Sequence, residues 1–210
     1  MDELEILKKE WQTREQEFPK LSYNDIYPML LKKSSSMVKW IFYISIAEIA
    51  LWTSLYFLIP ESSKEFQANM GLKTIGFWIN ILNYGVVFWF IYLFYKNHQK
   101  IKVTQSIKQL MKNILKTRKT VHYFVYYNIG LAAALLFAVN VYYFYNKDKL
   151  TEVLHSNQDY AAIPAETFIT ANIIVGVVIL GLLIGFYSLI YGLLLRKLKK
   201  NYKELKKMEV

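Results

Sequence analysis

Four long apolar blocks constrain this chain more than any other feature: Val38 to Ile59, Thr74 to Tyr95, Val121 to Tyr145 and Phe168 to Leu195. A bilayer core takes about 20 residues of helix to cross, and each block is long enough. Lipid offers the backbone no hydrogen-bond partners, so an isolated block of this kind has to satisfy its own amides as a helix. Trp40, Tyr56, Trp89, Tyr92, Tyr142, Tyr143 and Tyr145 lie toward block ends, where amphipathic rings sit at headgroup level. The expected fold is all-α: an integral membrane bundle of four antiparallel transmembrane helices (38–59, 74–95, 121–145 and 168–195) with helical cytoplasmic extensions in 1–37, 96–120 and 196–210. The first block follows a charged segment and is too long for a cleavable leader, so it reads as a signal anchor.

Positive charge sets the expected orientation. Of 26 Lys and Arg residues, seven stand in the N-terminal segment through Lys39, eight in the loop 96–120 and seven in the tail from Arg196. The two remaining connectors hold only Lys64, Lys73, Lys147 and Lys149. Lys and Arg accumulate in cytoplasmic loops. Both termini and the middle loop are therefore expected on the cytoplasmic side of a bacterial inner membrane. The chain has no cysteine, which excludes a disulfide framework, a zinc-thiolate site and a dithiol redox motif.

The extramembrane parts read as helices. "DELEILKKEW" puts Leu4, Leu7 and Trp11 on one face. Ser22 and Asp25 form a capping-box pattern ahead of Ile26, Leu30 and Leu31, with Pro28 close enough to the helix start to be tolerated. In the middle loop, Ile107, Leu110, Met111, Ile114 and Leu115 make an apolar stripe, and there is no acid. The expected state is a basic amphipathic helix lying on anionic lipid through Lys102, Lys108, Lys112, Lys116, Arg118 and Lys119. An acidic protein partner is the alternative. Nucleic acid is disfavoured, because the loop has no aromatic side chains for base stacking. In the tail, Leu195, Leu198, Tyr202, Leu205 and Met208 repeat at three- and four-residue steps like a coiled-coil seam. A helix starting near Pro164 and carrying that seam would run about 66 Å. The seam either packs on the chain's own helices or, with Leu4, Leu7 and Trp11, docks a partner.

Inside the bilayer, Glu48 is the one acid in the four blocks. An ionised carboxylate there costs on the order of 3 kcal/mol or more, and a neutral carboxyl still needs a hydrogen-bond partner. Asn83 lies at similar depth in span two, and Asn80, Asn128, Asn140 and Asn172 offer further amides. Such groups bond across helices for roughly 1 kcal/mol each. The expectation is that Glu48 bonds Asn83 or another amide and fixes helix register. The competing reading is a proton or cation site on a transport path, as in the small four-span multidrug exporters, which carry a glutamate in span one. Those exporters have short connectors, unlike this chain, and no second acid or base lies toward the middle of the spans here to relay a proton. Gly130, Ala134 and Ala138, and also Gly181, Gly185, Ser188 and Gly192, form small-residue stripes. They are expected at helix–helix contacts, within the bundle or in a homodimer.

Reaction chemistry is missing from the pattern. Three histidines, with one E-x-x-H at Glu152 and His155, fall short of a di-iron carboxylate set. No H-E-x-x-H, no phosphate-binding Gly-rich loop and no G-x-S-x-G occurs, and the serines at 34–36 read as a helix-end linker. The expectation is a non-enzyme with no cofactor and no metal. A faint repeat links "LLKKSSSMVKWIFYIS" to "ILKTRKTVHYFVYYN", as two helical hairpins in parallel repeat would.

With "ELEILKKEWQ", "PKLSYNDIYPMLLKKSSS" and "YGLLLRKLKKNYKELKKME", the chain resembles a family of small bacterial inner-membrane proteins of four spans. Similar chains are sometimes filed as carotenoid-cleaving oxygenases. That chemistry uses an iron held by four histidines in a β-propeller, which three histidines and no strand pattern exclude here. Genes of such chains often lie beside those of alternative sigma factors. The resemblance therefore implies a membrane-anchored regulator whose cytoplasmic helices hold a sigma factor.

Overall fold

A computed structural model describes residues 23–102, 104, 106–156 and 161–208. Leu4, Leu7, Trp11 and the Ser22 cap lie outside the described residues. The described chain is all-helical: α1 (Tyr23–Phe57), α2 (Glu61–Asn69), α3 (Lys73–Lys102), α4 (Ile107–Tyr145), α5 (Lys147–Ser156) and α6 (Ala165–Met208). α1, α3, α4 and α6 are long and apolar enough to cross a membrane. They form a ring in which α1 packs on α3, α3 on α4, α4 on α6 and α6 back on α1. Large apolar side chains on their outer surfaces, such as Leu82, Phe137, Leu182 and Leu189, are exposed as lipid-facing positions are.

Each long helix turns one narrow stripe inward. On α1 it runs Leu30, Ser34, Met37, Val38, Ile41, Ser45 and Glu48, and on α6 Tyr187, Tyr191, Leu195, Leu198, Asn201 and Leu205. Steps of three and four keep these positions on one side of a helix with 3.6 residues per turn. Pro28 sits in the second turn of α1, which runs through it.

The helices outrun the bilayer. α6 has 44 residues, about 66 Å of helix against a hydrocarbon core of about 30 Å. At the end carrying both termini, Leu30, Ile101, Ile107, Leu110, Ile114, Leu198 and Leu205 continue the same hydrophobic cluster beyond the apolar blocks. One sequence expectation is corrected here, and one of two alternatives left open is met. The 107–120 segment does not lie flat on lipid: it is the upright start of α4, with Ile107, Leu110, Met111 and Ile114 buried in the bundle. Nor does the tail seam stand free, because Leu198 and Leu205 are fully buried against the chain's own helices. Burial within the chain removes apolar area from water without a partner. Ser106 caps α4 by accepting the Gln109 amide at 3.3 Å. Tyr27 Oη donates to the Thr104 carbonyl at 3.1 Å, tying α1 to the α3–α4 connection.

The far end has its own small core. Phe66 of α2, Leu150, Val153 and Leu154 of α5, and Tyr143 and Ile169 of the long helices pack together around Met70. The Tyr142 hydroxyl at 2.8 Å and Lys149 Nζ at 3.2 Å both donate to the Met70 carbonyl. Gly71 follows at φ +80°, the left-handed turn after a helix end that glycine takes without steric cost.

The faint repeat in sequence has a counterpart in space. α1–α2–α3 and α4–α5–α6 are each a long helix, a short helix and a long helix, and the ring contacts match when one set is exchanged for the other. Buried Ser34, Met37, Val38 and Ile41 correspond in order and spacing to buried Thr117, Thr120, Val121 and Phe124. Val87, Phe94, Asn97 and Ile101 correspond in the same way to Tyr191, Leu198, Asn201 and Leu205. Two hairpins running in the same direction, related by an approximate two-fold along the bundle, produce that pattern.

The small-residue stripes do not make helix contacts within the bundle, the first of the two places expected for them. Gly130, Ala134, Ala138 and Gly181 are exposed, and a Cβ on Gly130, Gly181 or Gly185 would meet nothing within 4 Å. The close approach lies at Gly176, where an added Cβ would collide with the side chain of Leu136 on α4. Gly176→Val is expected to lower unfolding free energy by about 1–3 kcal/mol, the usual cost of overpacking. Adding Leu136→Ala should recover part of that loss. Denaturation by sodium dodecyl sulfate in mixed micelles reads both, and an unchanged midpoint for Gly176→Val would contradict the close contact.

Candidate functional site

Glu48 lies on the inward stripe of α1 and is 5% exposed. Its partners are tyrosines, not amides. Tyr187 Oη donates to Oε1, and Tyr191 Oη donates to Oε2 at 3.2 Å. The two tyrosines stand one turn apart on α6, so both hydroxyls reach one carboxyl. Their rings lie 5.7 Å apart, and Phe124 of α4 meets both edge-on, at 6.3 Å from Tyr187 and 5.8 Å from Tyr191. Phe94 and Phe90 extend the aromatic packing to α3, at 5.5 Å and 5.4 Å from Phe124. The carboxyl is thus held between α1 and α6 behind rings contributed by α3 and α4. A carboxyl accepting two hydroxyls in an apolar setting is locked in orientation.

The expected Glu48–Asn83 bond is corrected by this geometry. Asn83 Oδ1 accepts from the Tyr127 hydroxyl at 3.1 Å and so links α3 to α4. Asn128 and Asn140 turn back on their own helix, donating to the carbonyls of Phe124 and Leu136 at 2.8 Å each. Neither amide ties two helices together through these bonds.

Two further polar pairs sit where the spans meet the terminal end. Asn97 of α3 donates to Thr120 Oγ1 of α4 at 3.2 Å, and Asn201 of α6 donates to Ser34 Oγ of α1 at 3.1 Å. All four residues are buried. Each pair joins an amide of a descending helix to a hydroxyl of an ascending one; the two amides answer to each other in the repeat, whereas Ser34 answers to Thr117, one turn before Thr120. Ser34 is therefore a core residue of a continuous helix, not part of a linker. Sequence reasoning missed both pairs, and also Tyr187 and Tyr191. The signal was spacing: Ser34 falls in step with Leu30, Met37 and Ile41, and the two tyrosines fall in step with Leu195 and Leu198.

Of the basic residues expected to meet lipid, Lys102, Lys108, Lys112, Lys116 and Lys119 are exposed and Arg118 is half-buried. Glu152 and His155 are exposed on α5, and among the described residues no group of three acidic, His or Cys side chains is arranged to hold a metal ion. A carboxyl sealed by tyrosines, amide–hydroxyl pairs and a packed aromatic layer can hold helices in register.

No curated protein and no solved structure matches the chain. Residues 24–210 match the family model DUF8845, described as a domain of unknown function, and the chain belongs to that family.

Proposed function

We propose that this chain is a non-enzymatic membrane-anchored regulator or scaffold whose extramembrane bundle docks a soluble cytoplasmic partner. One observation carries the reading: α1, α4 and α6 continue past the bilayer and close, with the end of α3, into a bundle whose packed core extends that of the spans. An anchor alone needs about 20 residues per span. The added turns form a rigid platform, and its outer faces are basic. Among its described residues Asp25 and Glu204 are the only acids, while Lys100, Lys108, Lys112, Lys116, Lys119, Lys199 and Lys203 are exposed. A surface of one sign steers and orients an oppositely charged partner. Because Leu198 and Leu205 are spent inside the bundle, the docking surface is these basic faces and not the tail seam.

The strong Lys and Arg bias supports a cytoplasmic location for this end and a bacterial inner membrane for the protein. A sigma factor is the partner class that the sequence resemblance implies. Mild crosslinking in intact cells, purification through a C-terminal tag and mass spectrometry test the reading. One dominant soluble protein is expected. It should be lost with Lys108→Glu, Lys112→Glu and Lys116→Glu combined, while the amount of protein in the membrane is unchanged. Recovery of self-crosslinks alone would overturn the docking reading and favour a homodimer.

A second reading, a small proton- or cation-coupled transporter or channel acting through Glu48, is favoured by the burial of this one carboxyl among the spans. Its test is a flux lost in Glu48→Gln while expression and fold persist.

A further inference from the structure

Between α1 and α6, at the boundary between the spans and the terminal bundle, lies an open cavity of about 800 Å³. Lys32 and Lys33 enter it from α1, and Lys197 and Lys200 from α6. Trp40 and Leu194 line its membrane side. Among the described residues no acid lines it and none of the four lysines has an ion pair; all four are exposed. Four ammonium groups lining one hollow give it a positive potential that attracts an anion.

The depth of the cavity identifies the anion. Span one begins at about Trp40 and span four ends at about Leu195, so the apolar edge of the hollow is level with the acyl chains. The lysines stand between about half a turn and two turns farther out, roughly 3–12 Å along the helix, where headgroups lie. The geometry points to a binding site for the phosphate headgroup of an anionic phospholipid, its chains running along the α1–α6 seam beside Trp40 and Leu194. Four cations exceed the charge of one phosphodiester, so a lipid with two phosphates is the better match. Basic pockets between transmembrane helices bind such headgroups. The site is separate from the exposed lysines of α4 and does not rest on the docking of a soluble partner.

Native mass spectrometry of the full chain extracted in mild detergent tests this, with added diphosphatidylglycerol, phosphatidylglycerol or phosphatidylcholine. Discrete binding of one anionic phospholipid is expected, with diphosphatidylglycerol preferred and phosphatidylcholine weak. The variant K32Q/K33Q/K197Q/K200Q should bind at least about tenfold more weakly, on the scale of a few lysine–headgroup contacts. The variant K108Q/K112Q/K116Q/K119Q removes the same charge from α4 and should bind as the parent does. Helical content and detergent midpoint establish that both variants are folded. If K32Q/K33Q is the only folded form of the site variant, it serves in its place with a smaller expected loss. Equal loss in both variants would show general charge attraction and overturn the site, as would retention in the site variant. Displacement of the lipid by millimolar inorganic phosphate or pyrophosphate would assign the hollow to a soluble anion and overturn the lipid assignment.

Discussion

Glu48→Leu is expected to destabilise the bundle by about 2–3 kcal/mol, more than any other single change within the spans. The substitution keeps the volume apolar but strands the hydroxyls of Tyr187 and Tyr191, which donate to the two carboxyl oxygens. A buried hydroxyl left unpaired costs about 1–3 kcal/mol. Membrane measurements sit toward the low end, because the unfolded helices also find partners. Glu48→Gln keeps an acceptor and should cost under about 1 kcal/mol. Changing Tyr187 and Tyr191 to Phe in the Glu48→Leu background should restore most of the loss, since an all-apolar replacement leaves nothing unsatisfied. Denaturation in mixed micelles gives the four values of the cycle. Parent-like stability of Glu48→Leu would remove the carboxyl from the forces holding α1 to α6. A normal Glu48→Gln fold with a lost proton-coupled flux would instead move the weight to transport.

The membrane blocks were legible because their signal is composition over about 20 residues, which no tertiary detail can reverse. The ends of the helices were legible where a local rule acts: α6 begins at Ala165, directly after Pro164, as a helix opening near a proline should. What sequence left open was rotation about the helix axis. Gly130, Ala134 and Ala138 share a face, but only packing decides whether that face meets a helix or lipid, and it faces outward. Tyr187 looked like one more membrane tyrosine, yet its place on the inward stripe puts it on Glu48. Asn83 turns toward α4 and accepts from Tyr127, while the next residue, Tyr84, meets Thr53 of α1. The repeat was visible only as a faint echo because its halves keep burial and spacing while changing residues: Val87 answers to Tyr191, and Ile41 to Phe124.

Leu198→Ala and Leu205→Ala should each cost about 2–5 kcal/mol, the range for a buried leucine truncated in a close-packed core. Both side chains are 0% exposed, and nearby Asn201 is also buried, bonded to Ser34. The loss should be local. The spans of α6 are held by the Glu48 cluster and by packing on α4, so damage near 198–205 should open the terminal bundle while the membrane part stays assembled. Hydrogen exchange is the reading: amides of 196–208 and of 107–114 should lose protection together, because Leu110, Ile114, Leu198 and Leu205 lie at the terminal end of the shared core, while amides around Tyr187, tied to Glu48 farther along that core, keep theirs. Uniform protection in both variants would mean the tail packs elsewhere. Leu205→Lys would bury an unpaired charge and is expected to be harsher still. A partner lost in that variant would therefore report an opened platform and not a missing contact, which is why the exposed lysines of α4, and not the tail leucines, are the residues whose substitution can locate a docking surface.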